Sequence, residues 1–236
     1  MKKILNSILA VSFASSALVA LPQVAQAELS ANFGGVTNYV YRGVQQTGGN
    51  DNPQWQGGVD YSTENGFYAG AWGSTLFNLY GDSEISEGIE YDLYAGWSGN
   101  ITEDFGIGLG VLTYNYTDKD AIDDGDKFTT LAEIGLSANY GMLSANYDIG
   151  KDNFSATESD YVHYAISADV SAIDDGMGLT YGATKYDGLD AYEYLDIGYN
   201  GNLQGFDFNA NAIFSGDKLG DDFFIVLGLT KTFLID

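Results

Sequence analysis

The sequence predicts a closed antiparallel transmembrane β-barrel of about twelve strands. Segments of roughly ten residues alternate apolar and polar side chains out to Phe233; in residues 206–215, phenylalanine and alanine alternate with mostly polar residues. Strands of this length, apolar on one face and polar on the other, suit a barrel wall between lipid and water. An open sheet would leave backbone N–H and C=O groups unpaired in lipid, so the sheet must close.

Residues 1–27 are predicted to be a signal peptide that is removed on export. Lys2 and Lys3 precede an apolar stretch at 4–21, and Ala25-Gln26-Ala27 forms a small-residue cleavage site. An uncleaved membrane anchor is the alternative, which the cleavage site and the strand pattern that follows it disfavour. Residues 28–236 then form a single barrel domain, because neither a helical period nor a linker interrupts the alternation.

Twelve strand candidates follow from this alternation and from the turn residues between them. In chain order they are 31–45, 55–63, 67–76, 89–99, 105–116, 128–140, 143–150, 161–172, 177–186, 192–202, 206–215 and 223–233. Short connections alternate with longer ones that are rich in aspartate, glycine and asparagine. This asymmetry is typical of short periplasmic turns and longer extracellular loops, and an even strand count places both chain ends in the periplasm.

The composition is strongly acidic. Thirty-three acidic residues stand against nine basic ones, for a formal net charge of −24, and nucleic-acid binding needs a basic surface instead. The sequence has no cysteine, so stability must come from strand pairing and from the membrane. The densest acidic cluster is Asp118, Asp120, Asp123, Asp124 and Asp126. It lacks the spacing of an EF-hand, which leaves a solvated loop as the default and loose contact with divalent ions or lipopolysaccharide as the alternative; no metal site or cofactor is predicted.

The same alternation predicts which side chains face the lumen. The predicted pore-lining residues are Arg42, His163 and eight carboxylates: Asp60, Glu90, Asp92, Glu133, Asp148, Asp169, Asp196 and Asp207. One arginine and one histidine cannot pair eight carboxylates, and each buried unpaired charge costs several kcal/mol. Hydration is the least costly solution, so the lumen should hold water. Arg42, the only arginine of the sequence, is expected to bridge the first strand to Asp60 and Glu90; a hydrated arginine at the rim of the barrel is the alternative.

Several segments between residues 31 and 97 resemble the TorF-like family of outer-membrane porins. These segments are NYVYRG at 38–43 followed by Gln46-Thr47, WQGGVDYS at 55–62, GFYAGAWGS at 66–74 and EYDLYAG at 90–96. The resemblance implies a porin-like barrel and names no solute. Chains of this kind usually finish on an aromatic residue, whereas this sequence runs on from Phe233 through Leu234-Ile235-Asp236.

The sequence therefore predicts a channel in the outer membrane of a Gram-negative bacterium, for passive diffusion of small hydrophilic solutes or ions. Cations should be preferred, because carboxylates raise the local cation concentration. Its partners would be outer-membrane lipid, lipopolysaccharide and the solutes themselves, and the oligomeric state stays open. A structural or surface-interaction barrel with a closed lumen is the first alternative. The second is an enzyme in which His163 acts with Asp160 and with Ser155 or Ser159; no catalytic residue is assigned, and the chain is not expected to be an enzyme.

Overall fold

A computed structural model describes residues 27–46, 53–76, 88–117, 130–152 and 159–235, so the predicted signal peptide lies outside the described residues apart from Ala27. The strands are β1 (Glu28–Val36), β2 (Val40–Tyr41), β3 (Val44–Gln45), β4 (Gln54–Ser62), β5 (Phe67–Leu76), β6 (Gly88–Asn100), β7 (Phe105–Tyr116), β8 (Thr130–Tyr140), β9 (Leu143–Asp152), β10 (Ser159–Asp169), β11 (Met177–Tyr186), β12 (Tyr192–Leu203), β13 (Phe206–Ser215) and β14 (Phe223–Ile235). β1 and β4 to β14 form one closed antiparallel barrel, and β2 and β3 pair separately. The predicted fold class, a barrel of twelve strands, is confirmed.

The ring closes where the first strand meets the last. Val36 of β1 lies opposite Gly228 of β14 on one edge and opposite Gln54 of β4 on the other. The remaining barrel strands each pair with the barrel strand before them and the barrel strand after them in the chain. The backbone groups of the described wall are therefore satisfied within the ring, as a hydrocarbon surrounding requires.

The outward face of the wall is apolar. Leu93, Leu109 and Ile134, from three consecutive strands, expose 51%, 52% and 56% of their surface. Phe33 of β1 and Trp55 of β4 stack on this face, with ring centroids 5.6 Å apart. A continuous exposed apolar surface marks contact with lipid or with another apolar partner, and its alternation with a polar inner face is the pattern of a membrane barrel.

Connections of two kinds alternate around the ring. At one end, the turn end, the strands are joined by residues 63–66, 101–104, 141–142, 170–176 and 204–205. At the other, the loop end, they are joined by 37–53, 77–87, 117–129, 153–158, 187–191 and 216–222. The acidic cluster at 118–126 lies outside the described residues. A 3-10 helix of three residues, Asp217–Leu219, lies in the last connection. In the described ranges no helix is long and apolar enough to cross a membrane.

The first strand is shorter than the sequence predicts. The predicted strand 31–45 ends at Val36, and residues 37–46, which we call the inner hairpin, turn into the lumen and form β2 and β3. Arg42 and Gly43 at its turn have positive φ angles of 51° and 79°, which an extended strand does not allow. The aromatic and β-branched residues on either side favour strand, so the alternation alone does not mark the change of direction.

Candidate functional site

The inner hairpin occupies the loop-end half of the lumen. Val40 is fully buried and packs with Ile213 and Val226 of the wall. On the other side Tyr39 meets Trp72 of β5 edge to face, with ring centroids 5.7 Å apart. Burial, together with the Glu90 carboxylate, raises the pKa of Tyr39 well above its usual value. The hairpin is thus wedged between two parts of the wall and carries a neutral phenol into the lumen.

Arg42, at the tip of the inner hairpin, reaches across the lumen to the opposite wall. Its Nη1 donates to Glu133 Oε1 at 2.5 Å, and its Nη2 donates to Glu133 Oε2 at 3.1 Å. Nη2 also donates to Asp148 Oδ2 at 3.0 Å. The guanidinium carbon lies 4.8 Å from the centre of the Tyr41 ring. A planar fork of this kind matches a carboxylate with two parallel hydrogen bonds, and it ties the hairpin to β8 and β9.

Glu133 is saturated with donors. Besides the two bonds from Arg42, it accepts hydrogen bonds from the hydroxyls of Tyr114, at 2.8 Å, and Tyr161, at 2.6 Å. Only 1% of its surface is exposed. Tyr114 also lies within hydrogen-bond distance of Tyr41 of the hairpin, with the two hydroxyls 2.5 Å apart. Four donors, two from the hairpin and one each from β7 and β10, therefore stabilise one buried negative charge.

Asp148 is held by a second arm of the same network. Its Oδ2 lies 2.9 Å from His163 Nδ1, and the other ring nitrogen, Nε2, lies 3.3 Å from the hydroxyl of Tyr194. The rings of His163 and Tyr194 stack with centroids 6.1 Å apart. Asp148 Oδ1 has no hydrogen-bond partner among the described residues, so this carboxylate has capacity that the network does not use.

Inward tyrosines lie over glycines of the neighbouring strands. Tyr161 stands opposite Gly150, and Tyr194 stands opposite Gly182. A Cβ atom at either glycine would collide with the tyrosine ring. Because these glycines lack side chains, the two rings can lie flat along the wall. In this orientation the hydroxyl of Tyr161 reaches Glu133 and that of Tyr194 reaches His163.

All ten predicted pore-lining residues lie on the inner side of the barrel, in two groups. The loop-end group is buried and consists of Arg42, Glu90, Asp92, Glu133, Asp148, His163 and Asp196. The turn-end group consists of Asp60 and Asp207, which are half-buried, and Asp169, which is exposed. Their part in the passage of solutes stays a prediction.

The predicted bridge from Arg42 to Asp60 and Glu90 is wrong. Asp60 instead bonds with Tyr94 and, at 3.4 Å, with Asn32, and Glu90 accepts a hydrogen bond from Tyr116 at 3.1 Å. The reason is the inward turn after Val36, which takes the arginine off the wall and across the lumen.

The sequence predicts a hydrated lumen, but the charged side chains of the loop-end group are buried. Neutral side chains donate hydrogen bonds to several of these carboxylates: Asn211 Nδ2, for example, donates to both oxygens of Asp196, at 2.9 and 3.1 Å. Sequence reasoning missed the tyrosine donors, because a tyrosine near the end of a predicted strand, as Tyr114 and Tyr194 are, equally fits an aromatic girdle at the membrane surface. The alternation along a strand could have identified such a donor. Leu109 faces outward, and position 114 on the same strand, an odd number of residues away, faces inward.

His163 does not form the arrangement considered for an enzyme. It is fully buried and contacts Asp148 instead of Asp160. Ser155 and the side chain of Ser159 lie outside the described residues. Among the described residues no group of three or more histidine, cysteine, aspartate or glutamate side chains is placed to hold a metal ion.

Several solved structures are similar to this chain at low sequence identity. They include OprD of Pseudomonas aeruginosa, with a TM-score of 0.45, 10% identity and coverage of 88% of this chain and 66% of that one. The outer membrane protein opdK of the same organism gives a TM-score of 0.43 and 14% identity, with 88% and 61% covered. OccAB3 of Acinetobacter baumannii gives 0.41 and 11%, with 90% and 66% covered. The chain spans a little under two thirds of the length of these structures.

No curated protein matches the sequence. Residues 22–211 match the sequence model of a family described as a bacterial protein of unknown function (Gcw_chp), and the chain belongs to that family.

Proposed function

We propose that this chain is an outer-membrane barrel through which small hydrophilic solutes diffuse, with cations preferred and with the inner hairpin setting the size of the passage. The observation that carries the proposal is the inner face of the closed ring, where the described residues include eight inward carboxylates beside one arginine and one histidine. An acidic lumen of this kind concentrates cations.

The membrane position follows from the two faces of the wall. A closed ring with an apolar outer face and a polar inner face is stable in a bilayer and poorly suited to water. The predicted signal peptide at 1–27 provides export, and the loop end would then face the cell exterior. The resemblance of residues 31–97 to the TorF-like family of outer-membrane porins also supports a position in the outer membrane. That resemblance is a sequence-based prediction and is separate from the match to the family of unknown function.

The turn-end half provides the water-accessible part of the proposed path. Asp60, Asp169 and Asp207 are all at least partly exposed there, and uncharged polar side chains lie beside them. Ser167 and Thr180, for example, face inward with their hydroxyls 2.8 Å apart. Solutes from the periplasm would therefore meet a polar vestibule before they meet the inner hairpin.

The inner hairpin supports a second candidate, a structural barrel with a closed lumen. Val40 and His163 have no exposed surface, and Gly43 accepts a hydrogen bond from Ser215 of the wall at 2.6 Å. A plug packed this closely limits flow as long as it stays in place. In this candidate the acidic loops, including 118–126, would contact lipopolysaccharide or other surfaces.

Conductance in planar bilayers separates the two candidates. Because Val36 pairs directly with Gln54, residues 37–53 can be replaced by the two-residue turn Asn-Gly without moving the ring. We expect a small cation-selective conductance from the full chain and a severalfold larger one from this variant. The matched control replaces the exposed loop 187–191 by Asn-Gly, which leaves a four-residue connection between the paired residues Thr184 and Tyr192, and should leave the conductance unchanged. No current from the full chain and none from the shortened variant would establish the structural barrel instead.

A further inference from the structure

The wall opposite β1 carries a preformed seat for a planar cation. We define the guanidinium seat as Glu133 and Asp148 together with the three wall side chains that hold them: Tyr114, Tyr161 and His163. These three lie 2.8, 2.6 and 2.9 Å from the carboxylate oxygens. None of the five belongs to the inner hairpin. The wall therefore fixes two buried carboxylates by itself and leaves their charge to be met by something that enters the lumen.

Arg42 meets that charge through the end of its side chain alone. Its three hydrogen bonds to the seat come from Nη1 and Nη2, and its Nε has no partner among the described residues. The seat thus recognises the terminal fork of a guanidinium and makes no polar demand on the rest of the chain that carries it. An ammonium ion is compact and strongly hydrated, and it cannot present two parallel N–H groups to one carboxylate.

The inner hairpin can leave without opening the ring. Its two short strands pair with each other, as Val40 with Gln45 and Tyr41 with Val44, and they lie outside the closed order of the barrel strands. Thr37 at its base exchanges hydrogen bonds with Leu227, and Gly43 at its turn accepts one from Ser215, so release requires these bonds to break but no pairing between barrel strands. We propose that the guanidinium seat is a binding site for solutes that carry a guanidinium group, and that Arg42 occupies it as a tethered competitor. This proposal rests on the proposed function for the route by which a solute enters, and it names the class of solute.

The test uses the full-length Arg42→Ala barrel in detergent and two small cations. Alanine keeps the Cβ of the arginine, so ethylguanidinium supplies the missing atoms. Propylammonium would complete a lysine side chain in the same way and is the control probe of equal charge. We expect ethylguanidinium at millimolar concentration to raise the unfolding temperature of Arg42→Ala, and propylammonium to need about ten times more, which is the factor that 1.4 kcal/mol provides. An equal response to both cations would overturn the proposal.

Two double variants locate the response. Arg42→Ala with Glu133→Gln should lose it, whereas Arg42→Ala with Asp60→Asn should keep it, because Asp60 lies outside the seat. If Arg42→Ala alone does not assemble, refolding yield with each cation replaces the unfolding temperature, and ethylguanidinium should restore the yield selectively. A response that survives Glu133→Gln refutes the seat.

Conductance of the unmodified chain separates this proposal from the proposed function. We expect ethylguanidinium to increase the current relative to propylammonium, as it competes with Arg42 and frees the hairpin. Selective binding to Arg42→Ala without any current in either chain would support the seat and refute the channel. A current that does not distinguish the two cations, together with unselective binding, would support the channel and refute the seat.

Discussion

Replacing Arg42 by alanine should destabilise the barrel by about 3 kcal/mol. The substitution removes three charge-assisted hydrogen bonds and leaves Glu133 and Asp148 buried without their cation. Removing one partner of a buried ion pair costs roughly 3–5 kcal/mol. The lower end applies here, because Glu133 keeps its two tyrosine donors and Asp148 keeps its histidine. At roughly 2–4 °C per kcal/mol for a domain of this size, the unfolding temperature should fall by about 6–12 °C.

Unfolding in detergent micelles, followed by the β-sheet circular dichroism signal, measures this change. Fluorescence adds a local reading, since Trp72 contacts the inner hairpin through Tyr39. The unfolding temperature of Arg42→Lys should lie between those of the unmodified chain and of Arg42→Ala, because an ammonium keeps the charge and loses the fork. The control is Lys218→Ala, which breaks an exposed ion pair with Asp190 of 3.3 Å and should change stability by less than about 1 kcal/mol. If Arg42→Ala unfolds at the same temperature as Lys218→Ala, the ion-pair argument fails.

Three further predictions test the packing of the hairpin, the two faces of the wall and the charge of the lumen. Gly43→Ala should lower the free energy of unfolding in denaturant more than Gly141→Ala does. Both glycines have positive φ, which costs an L-residue about 1–2 kcal/mol. A Cβ at Gly43 would also lie 2.7 Å from a β12 side chain, whereas one at Gly141 meets nothing within 4 Å. Equal costs would mean that the hairpin is loosely packed. Leu109→Arg, on the outward face, should destabilise the barrel in lipid by about 2–4 kcal/mol, whereas Ser137→Arg, on the inward face, should be tolerated; the opposite order in refolding titrations would invert the assignment of faces. Asp60→Asn should lower the cation-over-anion permeability ratio, measured as the reversal potential across a salt gradient at low ionic strength, and an unchanged potential would remove Asp60 from the path.

The wall of the barrel could be predicted from the sequence because its rule is local. A strand between lipid and a polar lumen must alternate with a period of two, so each strand reports its own two faces. The inward position of Glu133, Asp148 and Asp196 follows from this parity without knowledge of any neighbour. The alternation of short and longer connections is predicted less well: the turn-end connection 170–176 is longer than the loop-end connections 153–158 and 187–191, because β10 ends at Asp169, before the predicted end at residue 172.

The inner hairpin could not be predicted in the same way, because nothing local distinguishes it from wall. Residues 39–44 have the composition of a strand, and what draws them inward is a set of contacts on strands far along the chain. The parity of Arg42 predicted a lumen position, yet it gave the wrong partners, since the assumption that Arg42 stays on the wall limited its reach to adjacent strands. The neutral donors were missed for a related reason: a tyrosine near a strand end fits both an interfacial girdle and an inward hydrogen bond.

The sequence distance between Arg42 and its partners has a consequence for assembly. Glu133 and Asp148 follow Arg42 by 91 and 106 residues. Ser215, which donates a hydrogen bond to Gly43, follows Gly43 by 172 residues. The hairpin is among the first segments to be synthesised, yet its docking place does not exist until strands from both halves of the chain stand in one ring. We therefore expect docking to be a late event that reports closure: the fluorescence of Trp72 should change after the β-sheet signal has formed, and a chain whose first and last strands had failed to join would carry its only arginine exposed.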